Sequence, residues 1–364
     1  MMLYRLLSRM DRGKVSSIVI SLTDRGPVAD RIAGLGIPVY ALGMRRGVPD
    51  PRALWRLSRI LLREQPAVLQ TWLYHADFVG LLAGRLGGVR ALAWNIRCSV
   101  MDQRYTKGVG GLVLRLLARF SGIPDAVVVN SFAGRTLHQG IGYRPRRWEM
   151  IPNGFDSTLF RPDPEAYQAV RRELGLPAGT PLVGLVARVD PIKGHATFLR
   201  GAGILARRRP DVRYILIGSG ADLGNPTIAG LVREHGLEGK VVGLGERSDM
   251  GRLTAALDVA TCASLGEGFP NVLGEAMSCA VPVVSTDVGD AAVLLDGVGR
   301  IVPIDDAAAM ADAWEEVLRL DPAERARRTG AGRQRIEAMY DLSAVADRYS
   351  SFYGELAAAS AGHR

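Results

Sequence analysis

The chain has 364 residues, enough for about two domains, and its 48% hydrophobic and 23% charged content is ordinary for a globular protein. Its net charge of +9 favours anionic partners, but the arginines are spread along the chain without an aromatic-rich basic stripe, which argues against nucleic acid. The spacing of the three cysteines (Cys98, Cys262 and Cys279) supports neither a disulfide framework nor a zinc site, and indicates a reducing compartment.

The first half alternates strand-like and helix-like segments after a basic, amphipathic start that looks like a helix (MMLYRLLSRMDR). Short apolar runs predict strands at Ser17–Leu22, Pro38–Leu42, Ala67–Trp72, Ala91–Ile96 and Ala126–Asn130. Helical spacing predicts helices at Ala29–Gly34, Pro51–Glu64, Ala76–Leu86 and Gly110–Ser121. This alternation implies a parallel sheet covered on both faces. The segment after Trp148–Gly154 is rich in proline and charge, and we expect it to connect two domains.

The second half repeats this plan. Strands are predicted at Pro181–Ala187, Val212–Ile217, Val241–Leu244, Val259–Cys262 and Val281–Ser285, and helices at His195–Arg209, Asn271–Cys279 and Asp341–Ala358. We therefore expect two α/β domains, residues 1–162 and 163–340, followed by a terminal helix in residues 341–364. In such sheets ligands bind beyond the carboxyl ends of the strands, often between domains.

The strongest chemical signal is a pair of carboxylates, Glu267 and Glu275, eight positions apart around Gly268-Phe269-Pro270-Asn271-Val272. The first lies on a loop after a strand, and the second about one turn inside the following helix. Gly268 lets the backbone approach a ligand closely, Pro270 suits the first helical turn, and the helix start offers N–H groups to an anion. Carboxylates placed there would accept hydrogen bonds from sugar hydroxyls.

A second signal is a pair of cations, Arg188 and Lys193, five residues apart on a loop between a strand and a helix. A planar guanidinium and a point-charge ammonium on one loop can grip a diphosphate. Gly218 and Gly220 close the next strand, which by itself is a weak signal. The sequence shows no acidic pair suited to a metal, and we expect neither a metal nor another cofactor.

These motifs, together with Ile151-Pro152-Asn153-Gly154, resemble the large family 4 of retaining glycosyltransferases, which have the GT-B fold. That fold consists of two Rossmann-like α/β domains whose parallel sheets face a central cleft. The resemblance extends over nearly the whole chain, through SLTDRGPVADRIAGLGIPVYALGMRRG and LGEGFPNVLGEAMSCAVPVVSTDVGD.

The resemblance implies a role for each matching residue. Arg188 and Lys193 would bind the donor diphosphate, Glu267 would contact hydroxyls of the transferred sugar, and Glu275 would hold the ribose. The remaining donor contacts that it implies are the segment from Phe269 to Val272, through the backbone N–H groups of its residues other than Pro270, the glycines Gly218 and Gly220, and Leu244 with Arg247 beside the base.

The start of the chain departs from the family, whose members usually open with a strand and a Gly-Gly loop before the first helix. Neither is visible before MMLYRLLSRMDR, so either the start is wrong or the copy is damaged. Arg97 stands where many relatives carry a histidine and could contact phosphate. His75 follows a strand, and Asn153 lies in the turn that leaves the first domain; with Arg97 they are the acceptor-side candidates.

The expected function is the transfer of a hexosyl or N-acetylhexosaminyl group from a nucleotide-diphosphate sugar, in the first place a UDP sugar, to a glycan or lipid-linked acceptor of a surface polysaccharide. Without a signal peptide or an apolar run of roughly 18 residues, we expect a cytoplasmic protein, at the inner face of the membrane if it binds lipid. Gly110–Phe120 could lie on an anionic membrane surface, although packing on the sheet is the simpler expectation. The alternatives are a nucleotide-sugar epimerase of the same fold and an inactive scaffold that binds sugar nucleotides.

Overall fold

The computed structural model describes residues 1–45, 50–98 and 108–361. The chain forms two compact units. The first contains Met1–Gly154 and Leu342–Arg364, and the second contains Phe155–Asp341. We call them the first unit and the second unit.

The first unit has two separate parallel sheets. Its strands are β1 (Val19–Ser21), β2 (Val39–Ala41), β3 (Val68–Gln70), β4 (Ala91–Ile96), β5 (Ala126–Val129) and β6 (Trp148–Met150). Strand β1 pairs with β2 in a two-stranded sheet, while the other four form a sheet in the order β3-β4-β5-β6. Strands β4 and β5 are almost wholly buried, whereas every residue of β1 and β3 is partly exposed.

Helices alternate with these strands. They are α1 (Met2–Arg9), α2 (Pro27–Gly34), α3 (Pro51–Glu64), α4 (Tyr74–Leu86), α5 (Gly108–Phe120) and α6 (Phe132–Ile141). Local capping explains where some of them begin: Asp50 accepts a hydrogen bond from the Arg52 N–H, and Ser131 accepts one from the Gly134 N–H. Helix α5 contributes Leu114 and Leu117 to a buried cluster, so the expectation that it packs into the fold is confirmed.

The second unit has one continuous, all-parallel sheet. Its strands are β7 (Leu182–Val186), β8 (Arg213–Ile217), β9 (Val241–Gly243), β10 (Val259–Cys262), β11 (Val283–Thr286) and β12 (Arg300–Val302), in the order β12-β11-β10-β7-β8-β9. Its helices are α7 (Pro164–Glu173), α8 (His195–Arg208), α9 (Pro226–Glu234), α10 (Met250–Ala255), α11 (Asn271–Ser278), α12 (Ala291–Leu295), α13 (Ala307–Leu318) and α14 (Pro322–Met339). One apolar cluster contains Phe198 and Trp314, and another contains Phe269 and Leu273.

The segment that the sequence suggested as a connection contains helix α7, which belongs to the second unit. Asp163 caps this helix by accepting a hydrogen bond from the Ala166 N–H at 2.8 Å. Arg171, only 1% exposed, pairs with Asp258 at 2.5 Å and thereby fixes α7 to the strand region. The proline at the start of α7 occupies the first helical turn, where its missing N–H costs little.

Helix α15 (Leu342–Ala361) follows the second unit and packs within the first. Its residues Val345, Tyr349 and Phe352 share a buried cluster with Leu6 and Leu7 of α1. Every predicted strand has a counterpart, although β1 and β3 are only three residues long. Among the described helices, none is both long enough and apolar enough to cross a bilayer.

Candidate active site

In the sheet of the second unit, the order in which the strands are added reverses between β7 and β10. From β7 it proceeds outward to β8 and β9, and then returns to build β10, β11 and β12 on the other side. The loops that follow β7 and β10 therefore leave two neighbouring strands at their carboxyl ends. Ligands of open α/β sheets bind at such a switch point.

Lys193 and Glu267 meet at this switch point, one from each of the two loops. The Lys193 Nζ atom lies 2.5 Å from Oε1 of Glu267, and the Ser264 hydroxyl donates to the same oxygen at 2.7 Å. The Lys193 side chain is 21% exposed and that of Glu267 is 17% exposed, so the pair is neither sealed in the core nor free in solvent. A positive and a negative group are thus held side by side at an accessible position.

The backbone locks the two loops together. The short 3-10 turn Pro191–Lys193 begins at Asp190, whose carboxylate accepts a hydrogen bond from the Ile192 N–H at 3.1 Å. The following Gly194 has φ +68°, and a Cβ atom there would lie 1.8 Å from the carbonyl oxygen of Ala263. The Leu265 N–H donates to the Ile192 carbonyl at 2.8 Å. Only glycine permits this close approach.

Arg188 is on the same loop but makes a different contact. Its guanidinium pairs with the Asp190 carboxylate at 3.0 Å, and its side chain is 64% exposed. The pKa of Asp190 is lowered, first by the hydrogen bond from the Ile192 N–H and then by Arg188. The structure therefore brings Lys193 and Glu267 into contact, and places Arg188 beside Asp190.

The carboxylate loop leads directly into α11. Phe269 is buried and stacks on Phe155 with ring centroids 6.1 Å apart. Pro270 is the residue just before the helix, which begins at Asn271 as predicted. Gly268 lies on the loop, and Asn271 and Val272 belong to the first turn of the helix.

Glu275 lies about one turn inside α11, as predicted, and is partly buried. The helix packs closely at the position just before it: a Cβ atom at Gly274 would lie 2.1 Å from the Phe155 ring. The glycine therefore sets how near α11 comes to Phe155.

Four residues of this site were not identified from the sequence: Ser264, Thr286, Gly289 and Asp290. The Thr286 hydroxyl donates to the Ser264 carbonyl at 2.6 Å, and the Asp290 N–H donates to the Gly268 carbonyl at 3.0 Å. Gly289 has φ +54°, and a Cβ atom there would lie 2.4 Å from the carbonyl oxygens of Glu267 and Gly268. Of these four residues, only Gly289 could have been noticed in the sequence, as the glycine in TDVGD after a predicted strand.

The two glycines after β8 have structural reasons of their own. Gly218 has φ +145°, and a Cβ atom there would lie 2.3 Å from the Ala187 carbonyl oxygen. Gly220 has φ +74° and lies against Val189, whose N–H donates to the Ser219 carbonyl at 2.8 Å. The loop after β8 therefore lies directly on the loop that carries Arg188.

The predicted base-side residues follow β9. Leu244 is partly buried and packs on the core of the second unit. Arg247 pairs with Asp249 at 2.8 Å and with Glu173 at 3.3 Å, and the pKa of Asp249 is strongly lowered, chiefly by its hydrogen bond from Arg247. Arg247 is thus held in an ion-pair network at the surface.

The three acceptor-side candidates lie in the first unit. Asn153 is buried, and its side-chain oxygen accepts hydrogen bonds from Arg97 and from Asn130. The Arg97 guanidinium lies 4.8 Å from the centroid of the Trp72 ring. His75 is exposed in the first turn of α4 and lines a cavity of the same unit. The structure therefore brings Arg97 and Asn153 into contact.

No group of three or more His, Cys, Asp or Glu residues within 1–45, 50–98 and 108–361 is arranged to hold a metal ion.

Two family models match the chain. One, described as Glycosyltransferase Family 4, matches residues 1–159, and the other, described as Glycosyl transferases group 1, matches residues 180–319. The chain is also similar to D-inositol 3-phosphate glycosyltransferases of Mycobacterium bovis and Mycobacterium tuberculosis, with 34% identity over 239 residues, or 63% of this chain. The match covers 48% of those relatives, so the chain spans about half their length.

Solved structures also resemble the chain. Anabaena Alr3699/HepE in complex with UDP has a TM-score of 0.83 at 21% identity, covering 97% of this chain and 95% of that one. The complex of the same protein with UDP-glucose gives the same values. Sucrose-phosphate synthase of Thermosynechococcus elongatus has a TM-score of 0.74 at 22% identity, covering 93% and 86% of the two chains. At these identities the likeness shows the fold alone, which is the α/β fold of GT-B glycosyltransferases.

Proposed function

We propose that this chain, which belongs to the family 4 glycosyltransferases, transfers a hexosyl or N-acetylhexosaminyl group from a UDP sugar with retention of configuration and without a metal. The observation that carries the proposal is the contact between Lys193 and Glu267 at the switch point of the sheet in the second unit. Relatives of the same fold have been solved with UDP and with UDP-glucose, which supports this choice of donor.

Departure of the nucleotide diphosphate is the step that the cations would assist. As the bond between the anomeric carbon and the phosphate oxygen breaks, the oxygen keeps the electron pair and the sugar acquires oxocarbenium character. An ammonium fixed beside the departing diphosphate stabilises that charge without reorganisation. Lys193 is positioned by Glu267, and Arg188 on the same loop can leave its exposed pair with Asp190 to add a second cation.

The carboxylates would hold the donor. Glu267 accepts hydrogen bonds from Ser264 and Lys193 on one oxygen, so it suits the orientation of sugar hydroxyls better than nucleophilic attack. Glu275, one turn inside α11, would take the ribose, and the first N–H groups of α11 would face the sugar and phosphates. The glycines Gly218 and Gly220, with Leu244 and Arg247, would border the nucleotide.

For the acceptor we propose a glycan or lipid-linked intermediate of a surface polysaccharide, with Arg97, Asn153 and His75 of the first unit as the candidate contacts. The net charge of +9 supports an anionic acceptor or a peripheral position at the inner face of an anionic membrane. On α5, Leu112 is 52% exposed and Phe120 is 38% exposed, which supports contact with a lipid surface. Sedimentation with anionic vesicles at low salt should carry the protein down, and failure to do so would refute the membrane contact.

The donor assay follows labelled UDP-glucose and UDP-N-acetylglucosamine, with and without acceptors, and determines the anomeric configuration of the product by NMR. D-inositol 3-phosphate is included as an acceptor because the similar mycobacterial proteins are D-inositol 3-phosphate glycosyltransferases. We expect transfer with retention that persists in EDTA. Inversion of configuration, or an epimerised UDP sugar without acceptor, would contradict the proposal.

The site is tested with Lys193→Ala and Arg188→Ala, each of which should lower turnover on the order of 10²–10³-fold. The matched controls are Lys240→Ala and Arg207→Ala, two other cations of the second unit, and they should retain turnover. Unchanged turnover in Lys193→Ala and Arg188→Ala would remove these two residues from the mechanism.

A further inference from the structure

The first unit has two layers of helices, one on each face of its four-stranded sheet. Successive residues of β5 point to opposite faces. Ala126 and Val128 pack in the buried cluster that contains residues of α1, α2 and α15. Val127 and Val129 pack in the cluster that contains residues of α4 and α5. Helix α3 shares a further buried cluster with α4. Helices α3, α4 and α5 therefore lie on one face of the sheet, and we call them the arginine layer.

The exposed face of α3 combines arginines with large apolar side chains. Its exposed residues recur at the spacing i, i+3, i+4, i+7, i+10 and i+11, so they form one stripe along the helix. These residues are Arg52, Trp55, Arg56, Arg59, Leu62 and Arg63. Trp55 is 59% exposed and Leu62 is 54% exposed. The Arg59 guanidinium lies 4.8 Å from the centroid of the Trp55 ring. Large apolar side chains thus stand between arginines on the side of α3 that faces solvent.

Helices α4 and α5 continue this surface. Their large exposed apolar side chains are Leu82, Leu86, Leu112 and Phe120, and their exposed arginines are Arg85, Arg115 and Arg119. The sequences of the three helices contain only two acids, Glu64 and Asp77. Asp77 is completely buried, and Glu64 pairs with Arg63 at 2.8 Å and accepts a hydrogen bond from Tyr40 at 2.9 Å. The arginine layer therefore presents a cationic surface interspersed with large apolar side chains.

The layer on the other face of the sheet differs in both respects. Helices α1, α2 and α15 carry four arginines and three acids, so their charges nearly balance. Among these described helices, none of the large apolar side chains is exposed. The excess of positive charge and the exposed apolar side chains are therefore concentrated on the arginine layer. A surface that exposes many large apolar side chains marks a site of interaction.

We propose that the arginine layer docks on an anionic lipid bilayer, with Trp55 of α3 as its main anchor. A tryptophan ring is favoured at the boundary between headgroups and acyl chains, and the exposed leucines would enter the same boundary. The arginines would pair with lipid phosphates, to which each basic side chain near the surface is attracted. The proposal extends the membrane contact proposed for α5, because it names a surface of three helices and places the principal contact on α3. It does not depend on sugar transfer.

A lipid surface uses both chemical components of the arginine layer. A nucleic acid would pair with the arginines, but it recognises exposed side chains by stacking bases on aromatic rings. The large exposed apolar side chains of the layer are four leucines and only two aromatic residues, Trp55 and Phe120. A nucleic acid would therefore leave most of these apolar side chains in water, whereas a bilayer would take up all of them.

The first test measures binding of the full chain to sedimented vesicles at low salt. Vesicles of phosphatidylcholine with phosphatidylglycerol should bind the protein, and vesicles of phosphatidylcholine alone should bind it much less. The double variant Arg52→Gln/Arg59→Gln should bind on the order of 25-fold more weakly, or about fivefold for each arginine. The matched control, Arg9→Gln/Arg31→Gln, removes the same charge from the opposite layer and should retain binding. Equal weakening of both double variants would show that net charge alone attracts the protein, and would overturn the proposal.

The second test locates the anchor by quenching tryptophan fluorescence with brominated lipids. Trp55 is exposed, whereas the other four tryptophans are partly or wholly buried. Trp55→Phe keeps an aromatic ring, so it should retain most of the binding but lose most of the quenching. Trp55→Ser should also weaken binding by about tenfold, because an apolar contact with the bilayer is lost. Unchanged quenching in Trp55→Phe would overturn the proposal.

A third comparison separates this proposal from a contact made by α5 alone. Leu112→Ser/Phe120→Ser should weaken binding less than the changes in α3 do. If this double variant abolished binding while the α3 variants retained it, the membrane contact of α5 would stand and the proposal for the arginine layer would fall. Binding to a single-stranded oligonucleotide without binding to the anionic vesicles at the same salt concentration would also overturn it.

Discussion

The two units differ in whether their strands form one continuous sheet. The second unit closes six parallel strands into one sheet, and its central strands β10 and β11 are wholly buried. The first unit divides the same number of strands into a pair and a group of four, and the strands beside the gap are short and partly exposed. The unit that carries the candidate donor site therefore has one continuous sheet, whereas the strands of the other unit are divided between two sheets.

The two units also differ in how their buried carboxylates are paired. In the second unit, Asp258 receives Arg171 at 2.5 Å and Arg325 at 3.2 Å. In the first, Asp77 is completely buried, accepts a hydrogen bond from Thr71, and within the described residues has no ion pair. Two arginines therefore compensate the charge of Asp258, whereas burial raises the pKa of Asp77 well above its ordinary value.

The largest expected effect tests the compensated pair. Arg171→Ala would leave Asp258 buried beside one partly exposed arginine, and should cost about 3–5 kcal/mol in the stability of the second unit. Native-state hydrogen exchange of β7 measures this loss. The control is Arg172→Ala, an exposed neighbour on the same helix, which should cost little. Equal losses of stability in Arg171→Ala and Arg172→Ala would show that the buried ion pair stabilises the unit no more than an exposed arginine does.

The second prediction compares the ladders directly. A two-stranded sheet is marginal by itself, so the amide of Ser21 in β1 should exchange about 10²-fold faster than that of Leu185 in β7. Hydrogen exchange of the unmodified chain is sufficient. Similar rates in the two strands would mean that the gap between the sheets does not weaken β1.

The third prediction tests how tightly the site is packed. Gly274→Ala would place a Cβ atom 2.1 Å from the Phe155 ring and should destabilise the second unit by about 1–3 kcal/mol. Gly230→Ala in α9 meets nothing within 4 Å and should be neutral or slightly stabilising, because alanine favours helix. Thermal unfolding of both variants distinguishes steric conflict from helix propensity. A stable Gly274→Ala protein would contradict the close packing.

The smallest expected effect concerns the uncompensated acid. Burial raises the pKa of Asp77 well above its ordinary value, although hydrogen bonds from Thr71 and the Asn95 backbone oppose the shift. The folded state then holds a proton that the unfolded state releases. The contribution of Asp77 is complete below the unfolded pKa of about 3.9 and is lost as the pH rises through the folded pKa.

Asp77→Asn should remove this dependence, so stability should fall less between about pH 5 and about pH 8 than in the unmodified chain. Thermal unfolding at the two pH values is the measurement, and Asp30→Asn, at an exposed ion pair, is the control. An unchanged pH profile in Asp77→Asn would show that the carboxyl does not retain its proton.

Sequence reasoning placed the strands and both halves of the candidate site, because apolar periodicity and loop chemistry are local. It could not place Lys193 against Glu267, since that contact depends on β10 returning beside β7. Ser264 and Thr286 carry no local signature; each matters through a hydrogen bond to a residue brought near by the fold. The segment that contains α7 resembles a connection because it is rich in proline and charge, although proline is common in a first helical turn.

In the first unit, α1, α3 and α15 line a cavity that β1 and β3 also border. No local sequence signal places these elements together, because they come from distant parts of the chain.

The contact between Gly194 and the Ala263 carbonyl has a consequence for any kinetic study of this protein. That contact and the hydrogen bond from the Leu265 N–H to the Ile192 carbonyl hold the loops after β7 and β10 against each other. A change in either loop is transmitted to the other, so losses in turnover from Lys193 and Glu267 variants should not add as independent quantities. The contribution of Lys193 or Glu267 to the proposed transfer is therefore defined only in the presence of the other side chain.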